Sequence, residues 1–405
     1  MWDPIDGAMP RFWPPKPNRF WNLALEPLRR HYLHRFYGIT QVEIIGMQHL
    51  QAIGPSDGLL IAPNHSHDSD PHVMMHVGRE IGRCFYFMAA WQIFRAHRGI
   101  DGWVMQRMGA FSVDREGCDR RAVRQAMELL ARGKTLVVFP EGEVYRTNER
   151  LTPLLEGVPF MALNAQKDLD KSGAPARVWI VPTAIRYRYV DDILPQLEAS
   201  MARLESRMKV RPPSGMPLHE RITRYGEFLL TIKEKEITGH SREDAGSVAQ
   251  RVEWLINALL ERREKEHLNE SPSAPTVPLR VKALRRHLIE IWTDDSADAN
   301  TRLLAREALD DVQLALQLYS YPGNYVSDDP TVERMAETIE KYEEDLEGVG
   351  KPKGRRQATI HFGPPIDLKP HAAGRARTVT AQLTEQLEDA IETLMRSAHG
   401  RNPGA

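Results

Sequence analysis

The sequence predicts an α/β protein, a mostly parallel central sheet flanked by helices. Two observations carry that expectation. Short apolar, β-rich runs alternate with segments of helical spacing from about Gln41 to Tyr189, the pattern of a buried parallel sheet covered by helices. Polar blocks that could do chemistry stand at the ends of those runs, where such sheets place their sites. After Tyr189 the apolar spacing becomes helical for a long stretch, rich in Glu, Arg, Leu and Ala.

The elements follow in order. Val42-Glu43-Ile44-Ile45-Gly46 reads as a strand and Gly58 to Ala62 as another. Pro71 to Ile81 reads as a helix, with Asp70 as N-cap and Pro71 at N1. Cys84 to Met88 is a third apolar run, followed by a helical stretch through Phe94. In Arg120 to Ala131, Val123, Met127 and Leu130 recur at helical spacing, and Gly133 is a good stop. Thr135 to Phe139 is a β-rich strand that delivers Pro140-Glu141-Gly142, and Arg177 to Tyr189 is the next strand. Helical spacing then marks Val248 to Leu268, Val281 to Trp292, Thr301 to Leu318 and Val332 to Leu346. Pro272, Pro275 and Pro278 with adjacent serines read as a linker, and Tyr319 to Asn324 as a turn. The charge-rich faces of these helices read as solvated surface.

At 405 residues the chain can hold a domain of ordinary size and an appendage. A formal charge of -1 and a pI near 7.0 give no reason to expect nucleic acid as a partner. Cys84 and Cys118 are too few for a disulfide scaffold and lack metal-ligand spacing, so a reducing cytosolic setting is expected. No apolar run approaches the roughly 18 residues of a spanning helix, and the N-terminus lacks the order of a secretory signal. That N-terminus is unusual all the same. Trp2, Phe12, Trp13, Phe20 and Trp21 are interleaved with Arg11, Lys16, Arg19, Arg29 and Arg30. Prolines at 4, 10, 14, 15 and 17 exclude an early helix, whereas Asn18 to about Phe36 can be helical. Rings beside cations suit a bilayer headgroup region; packing on the body of the protein is the other reading.

His65-Ser66-His67-Asp68-Ser69-Asp70 follows the second strand and directly precedes Pro71. A histidine just past a strand, with an aspartate five residues on at a helix start, can be a base beside its orienting carboxylate. An ordinary polar loop is the other reading of this block alone. His-x-His with nearby aspartates also invites a metal, as in the H-x-H-x-D-H loop of the metallo-β-lactamase fold. Ser69-Asp70 stands where that pattern needs Asp-His, and no histidine lies between His97 and His219. No metal site is expected, and His67 and His72 read as loop or helix-surface histidines. Gly54-Pro55-Ser56-Asp57-Gly58 matches a nucleophile elbow in spelling, but Ser56 precedes its strand, so it reads as a polar turn.

Three further blocks follow: Gly109-Ala110-Phe111-Ser112-Val113-Asp114-Arg115, Phe139-Pro140-Glu141-Gly142 and Val181-Pro182-Thr183-Ala184. In this order and spacing the four blocks resemble the glycerolipid acyltransferase family, of the 1-acylglycerol-3-phosphate acyltransferase-like kind. There they read roughly NHxSxxD, GxIFIDR, FPEGTRS and VPVAI. The resemblance covers about residues 41 to 190. It implies acyl transfer from acyl-CoA or acyl-carrier protein to a lysophospholipid hydroxyl, 1-acylglycerol-3-phosphate first, with no other cofactor and no metal. His65 is implied as the base and Asp70 as its orienter. Arg115 is implied to hold the acceptor's phosphate, and Glu141 and Gly142 to belong to the substrate site. A surface salt bridge of Arg115 with Asp114 or Glu116, and a solvated turn carboxylate at Glu141, are the plainer readings of those residues.

The family usually closes its core with a strand near V-x-F-G-x-P-I and a last helix. Here these stand at Thr359 to Ile366 and Ala373 to Ser397, so the helical stretch reads as an insertion. The implied organisation is an aromatic and basic membrane-contact segment over 1–40, an α/β acyltransferase core over 41–195, an all-α insertion over 196–354, and a completing strand and helix over 355–400. The implied location is cytoplasmic, peripheral on the inner face of the membrane. Two departures stand out. His67 replaces the usual serine, and Glu143-Val144-Tyr145-Arg146 replaces Thr-Arg-Ser. Arg146 is the replacement candidate for the lost phosphate contact, while Glu143 would disfavour a phosphate. A different lipid acceptor is thus the second reading. A non-catalytic lipid-surface scaffold is the third, against which His65, Asp70, Arg115 and Glu141 argue.

Overall fold

A computed structural model describes residues 11–117, 119–243, 246–268, 276–294 and 296–399. Trp2, Pro4, Pro10, Cys118, Pro272 and Pro275 lie outside the described residues. The described chain forms an α/β unit over residues 11–192 and 354–399, and a helical unit over residues 193–353.

In the α/β unit come α1 (Arg19–Ala24), α2 (Glu26–Tyr37), β1 (Ile39–Ile45), α3 (Met47–Gln51), β2 (Gly58–Pro63), α4 (Asp70–Glu80) and β3 (Phe85–Ala90). A 3-10 segment, Trp91–Gly99, leads to α5 (Ile100–Arg107), β4 (Ala110–Val113), α6 (Arg120–Ala131), β5 (Thr135–Val137), α7 (Gly157–Ser172) and β6 (Val178–Tyr189). The helical unit holds α8 (Leu194–Met208), α9 (Leu218–Thr238), α10 (Val248–His267), α11 (Val277–Trp292), α12 (Ala299–Tyr319) and α13 (Val332–Glu347). The chain then returns through β7 (Arg356–Phe362), β8 (Ile366–Asp367) and α14 (Ala376–His399) to the α/β unit.

The sheet runs β1-β7-β6-β2-β5-β3-β4, with β8 beside β6. Pairing is parallel except where β6 meets β7 and β8. Alternation along the strands builds two cores. Leu60, Ala62, Leu136 and Ile180 pack under α6, α7 and α14, and Leu59, Ile61, Val137 and Val181 pack on the other face with Val73 and Met74 of α4. Burial on both faces explains why these strands read as continuous apolar runs. On α6, Asp119 caps the first turn by accepting from the Arg121 and Ala122 amides, and Ala122, Ala126, Leu129 and Leu130 form the buried stripe.

Several expectations are corrected. Helix α4 begins at Asp70 with Ser69 at its N-cap, because the Asp70 carboxylate is engaged elsewhere. Strand β5 stops at Val137 rather than Phe139, as Pro140 supplies no N–H to continue the ladder. The stretch through Phe94 is 3-10 in character, kinked at Ala96, His97 and Arg98. Pro278 lies in the first turn of α11, where its missing N–H costs nothing. Helices α7, α8 and α9 were not foreseen, although Leu197, Met201 and Leu204 of α8 carry the periodic signal.

The charge-rich faces of the helical unit are not all solvated. Arg251 of α10 forks onto Glu234 of α9, and Arg280 of α11 onto Glu264 of α10; all four side chains are buried. Desolvated charges survive only when paired and hydrogen-bonded in this way.

The N-terminal rings divide. Trp13 exchanges backbone and side-chain hydrogen bonds with Ser112 on β4 and stacks on Phe94, while Phe12 packs on the core. Arg29 is buried between Glu26 and the His72 carbonyl. These three side chains therefore serve the body of the protein, whereas Phe20, Leu23, Leu28 and Phe36 stand exposed. Among the described residues no helix is long and apolar enough to cross a membrane.

Candidate functional site

Strands β2, β4, β5 and β6 all point the same way; the first three blocks leave the C-terminal ends of β2, β4 and β5, while Val181-Pro182-Thr183-Ala184 lies within β6. Where β2 stops at Pro63, β6 runs on to Tyr189 and its edge needs partners. Two buried asparagines supply them. Asn64 Nδ2 donates to the Ile185 carbonyl at 3.1 Å and Asn64 Oδ1 accepts the Ile185 amide at 2.6 Å. Asn148 does the same for Tyr187, at 2.8 and 2.7 Å. Side-chain amides thus replace a strand, and the chain is released to turn at His65.

The turn brings His65 Nδ1 within 2.9 Å of Asp70 Oδ2. Asp70 is fully buried, and its oxygens also accept the His67 amide at 2.9 Å and the Tyr187 hydroxyl. The His65 ring lies on Phe139, with centroids 3.9 Å apart and planes 18° from parallel. Phe139 can do this because it has left the sheet. The imidazole is fixed at one nitrogen and on one face. With Nδ1–H donating to the carboxylate, Nε2 carries the lone pair, the arrangement of a general base.

Glu141 Oε1 accepts the His65 backbone amide at 2.6 Å. Its Oε2 accepts the Thr152 amide at 3.1 Å and the Thr152 hydroxyl. Glu141 is only 4% exposed, so it is no solvated turn carboxylate. Burial pushes its pKa upward, against the lowering effect of these hydrogen bonds. Gly142 turns at φ +78°, and a Cβ there would come within 2.7 Å of Leu155.

Arg115 donates to the Gly142 carbonyl at 3.0 Å and pairs with Glu143 at 2.9 Å. The carboxylate that the structure sets against it is Glu143. Arg146, itself at φ +54°, pairs with Asp68 at 2.9 Å. His65, Asp70 and Glu141 share one set of hydrogen bonds, Arg115 is held by the Gly142 carbonyl and Glu143, and Arg146 is tied to Asp68 of the His65 loop. Each arginine already faces a carboxylate.

His67 and His72 are partly buried. His67 contacts Ser69, Arg356, Tyr37 and Tyr187, and both its ring nitrogens are engaged by the protein. His72 lies under Tyr32, and burial, then the nearby Arg29 charge, push its pKa down to about 4. Among the described residues no group of three or more His, Cys, Asp or Glu is gathered for a metal. Asp57 of the elbow-like turn accepts from Arg177 and Trp179 and simply fastens the turn before β2.

Sequence reasoning missed Tyr187, Phe139, Thr152, Asn64 as a ladder partner, and Asn148. Tyr187 sits five residues past Pro182 on β6, and only the strand's parity could have placed it on the α4 face with Asp70.

Residues 41–186 match the model of a family described as Acyltransferase. No curated protein matches the chain.

Proposed function

We propose, on the premise that residues 41–186 belong to the acyltransferase family, that the α/β unit moves a fatty acyl group from a thioester to a lipid hydroxyl with His65 as general base. The observation that carries this is the 2.9 Å bond between His65 Nδ1 and the buried Asp70, at the mouth of parallel strands. His65 Nε2 takes the hydroxyl proton as the acceptor oxygen bonds to the acyl carbon. The C–S bond then breaks, and the imidazolium returns the proton to the departing thiolate. Asp70 stabilises the cation between those events. A thioester needs no covalent acyl-enzyme, and acyl-CoA or acyl-carrier protein would serve as donor. The test is incubation of the purified protein with acyl-CoA and a panel of lysolipids, read by lipid mass spectrometry. The expected result is an acylated lysolipid with wild type; no acylated product with any donor or acceptor would overturn the reading.

The acceptor that the resemblance names is 1-acylglycerol-3-phosphate. The Arg115–Glu143 and Arg146–Asp68 pairs favour the second reading, the same chemistry on a different lipid acceptor, and among such acceptors one whose head group carries no net charge. A phosphate monoester would have to displace two carboxylates to reach the two guanidinium groups. Glu143→Thr frees Arg115, and a charge-assisted bond is worth about 1.5–3 kcal/mol. The variant is expected to improve kcat/KM for 1-acylglycerol-3-phosphate by roughly tenfold relative to a zwitterionic lysolipid. An unchanged ratio would remove Arg115 from the head-group site.

The protein would work as a peripheral protein on the cytoplasmic face of a membrane. Support comes from exposed Phe20 and Leu23 on α1 and exposed Ile100 and Trp103 on α5. The Trp21 and Trp103 rings meet edge to face at 5.0 Å, and Arg107 lies over Trp103. Apolar side chains beside cations match an interfacial surface. Phe20→Ser with Trp103→Ser should lower co-sedimentation with anionic vesicles several-fold, most clearly at low salt, and leave turnover of a water-soluble short-chain substrate intact. Undiminished sedimentation would place lipid contact elsewhere.

A further inference from the structure

We infer that a one-way hydrogen-bond relay from Arg356, through His67, Ser69 and Tyr187, orients Asp70 for its bond to His65. The inference rests on the His65–Asp70 reading above and adds positioning residues to it. Arginine has no acceptor, so Arg356, 3.2 Å from His67 Nε2, must donate to it. The His67 proton is then on Nδ1, which donates to Ser69 Oγ at 2.7 Å. The 3.2 Å approach of the Ser69 amide to Nδ1 is in that case a contact only. Ser69 Oγ passes its own proton to the Tyr187 hydroxyl at 3.0 Å, and Tyr187 donates to Asp70 Oδ1. Every donor points toward Asp70. The other oxygen, Oδ2, is left to accept from His65 Nδ1 and the His67 amide.

The fixed charge of Arg356 sets the direction of the chain. A histidine at 67 can carry it because imidazole accepts at one nitrogen and donates at the other, which the serine usual at this place in the first block cannot do across the same span. Burial of the ring, then the charge of Arg356, hold the His67 pKa well below the usual histidine range, which keeps that relay neutral and intact. Burial and the Asp70 charge raise the Tyr187 pKa, so Tyr187 remains a donor. Arg356 is anchored in turn by the Tyr189 hydroxyl and by its amide on the Gly38 carbonyl. The strand that enters after the helical unit therefore reaches Asp70 through three side chains.

The ionisable groups around His65 are Asp70 from α4, Tyr187 from β6, His67 and Asp68 from its own loop, Glu141 and Arg146 from the segment after β5, and Arg356 from β7. Tyr187→Phe removes one donor from Asp70 and leaves the rest in place. The carboxylate then holds the imidazolium more strongly, so the acid limb of kcat/KM should move to higher pH. We expect kcat to fall about tenfold with KM for donor and acceptor unchanged. Arg356→Met, which keeps a long side chain but removes the charge and its donors, should shift the limb the same way by less. Added to Tyr187→Phe it should change neither kcat nor the limb, because the relay is already cut; thermal melts confirm that each variant is folded. Additive effects, or folded single variants with wild-type kcat and pH profile, would overturn the relay. If His65→Ala is itself active, the base assignment fails instead, so the two failures are distinguishable.

Discussion

His65→Ala is expected to lower kcat by about 10² to 10⁴, the usual worth of a positioned general base, while the protein stays folded. The side chain is mostly buried but, among the described residues, makes only one side-chain hydrogen bond, to Asp70, and one ring contact, to Phe139. The strands beneath it do not depend on it. KM for donor and acceptor should change little, since the lost interaction exists only as the proton moves. Asp70→Asn should be nearly as severe. An amide at that place can still accept from one partner, but it cannot balance the imidazolium, and its NH2 would face either the His67 amide and His65 or the Tyr187 hydroxyl. Rates measured under saturating donor and acceptor decide the matter. Turnover near wild type in a folded His65→Ala protein would end the mechanism.

The dyad was legible because a helix start and a strand end are both written in short sequence signals. The apolar run before Asn64 and the Asp-Pro step at 70–71 confine six residues between two rigid elements, and such a turn has few ways to run. The largely parallel character of the sheet was legible for a similar reason, since apolar strands alternate with helices along the chain; the order β2-β5-β3-β4 was not. What the sequence did not carry were contacts made across distance. Tyr187 meets Asp70 over 117 positions and Arg356 meets His67 over 289, and neither has a local pattern to announce it. The Arg115–Glu143 pair was missed because proximity in sequence suggested Asp114 or Glu116, whereas the turn at Gly142 carries Glu143 to Arg115; the Arg146–Asp68 pair spans 78 positions and has no local signal. The buried Arg–Glu forks between α9, α10 and α11 were misread because a charged residue gives the same sequence signal on a solvated face as in a paired interior.

Glu141→Gln should separate holding the base from holding the substrate. Both carboxylate oxygens of Glu141 meet donors: the His65 amide on one, the Thr152 amide and hydroxyl on the other. A side-chain amide offers one acceptor and one donor group, so one of those backbone amides loses its partner in a buried place, at a cost of about 1–3 kcal/mol. The His65 loop should loosen and kcat should fall by roughly tenfold to a hundredfold, since small misplacements of a base are costly. Acceptor KM should hold. If Glu141 instead binds the acceptor hydroxyl, one form of the substrate-site role that the resemblance implies, KM should rise and kcat should change less. The pH dependence of stability gives an independent sign. A carboxyl whose folded pKa is raised by burial binds more protons in the native state, so its stabilising contribution is fully present below its ordinary value of about 4.5 and is lost as pH rises through the folded pKa. Glu141→Gln removes that titration. The decline in stability of wild type above about pH 4.5 should therefore be shallower in the variant. A variant with the same slope as wild type would mean that the Thr152 and His65 hydrogen bonds keep Glu141 ionised throughout, and that its hold on the loop is purely that of a charge.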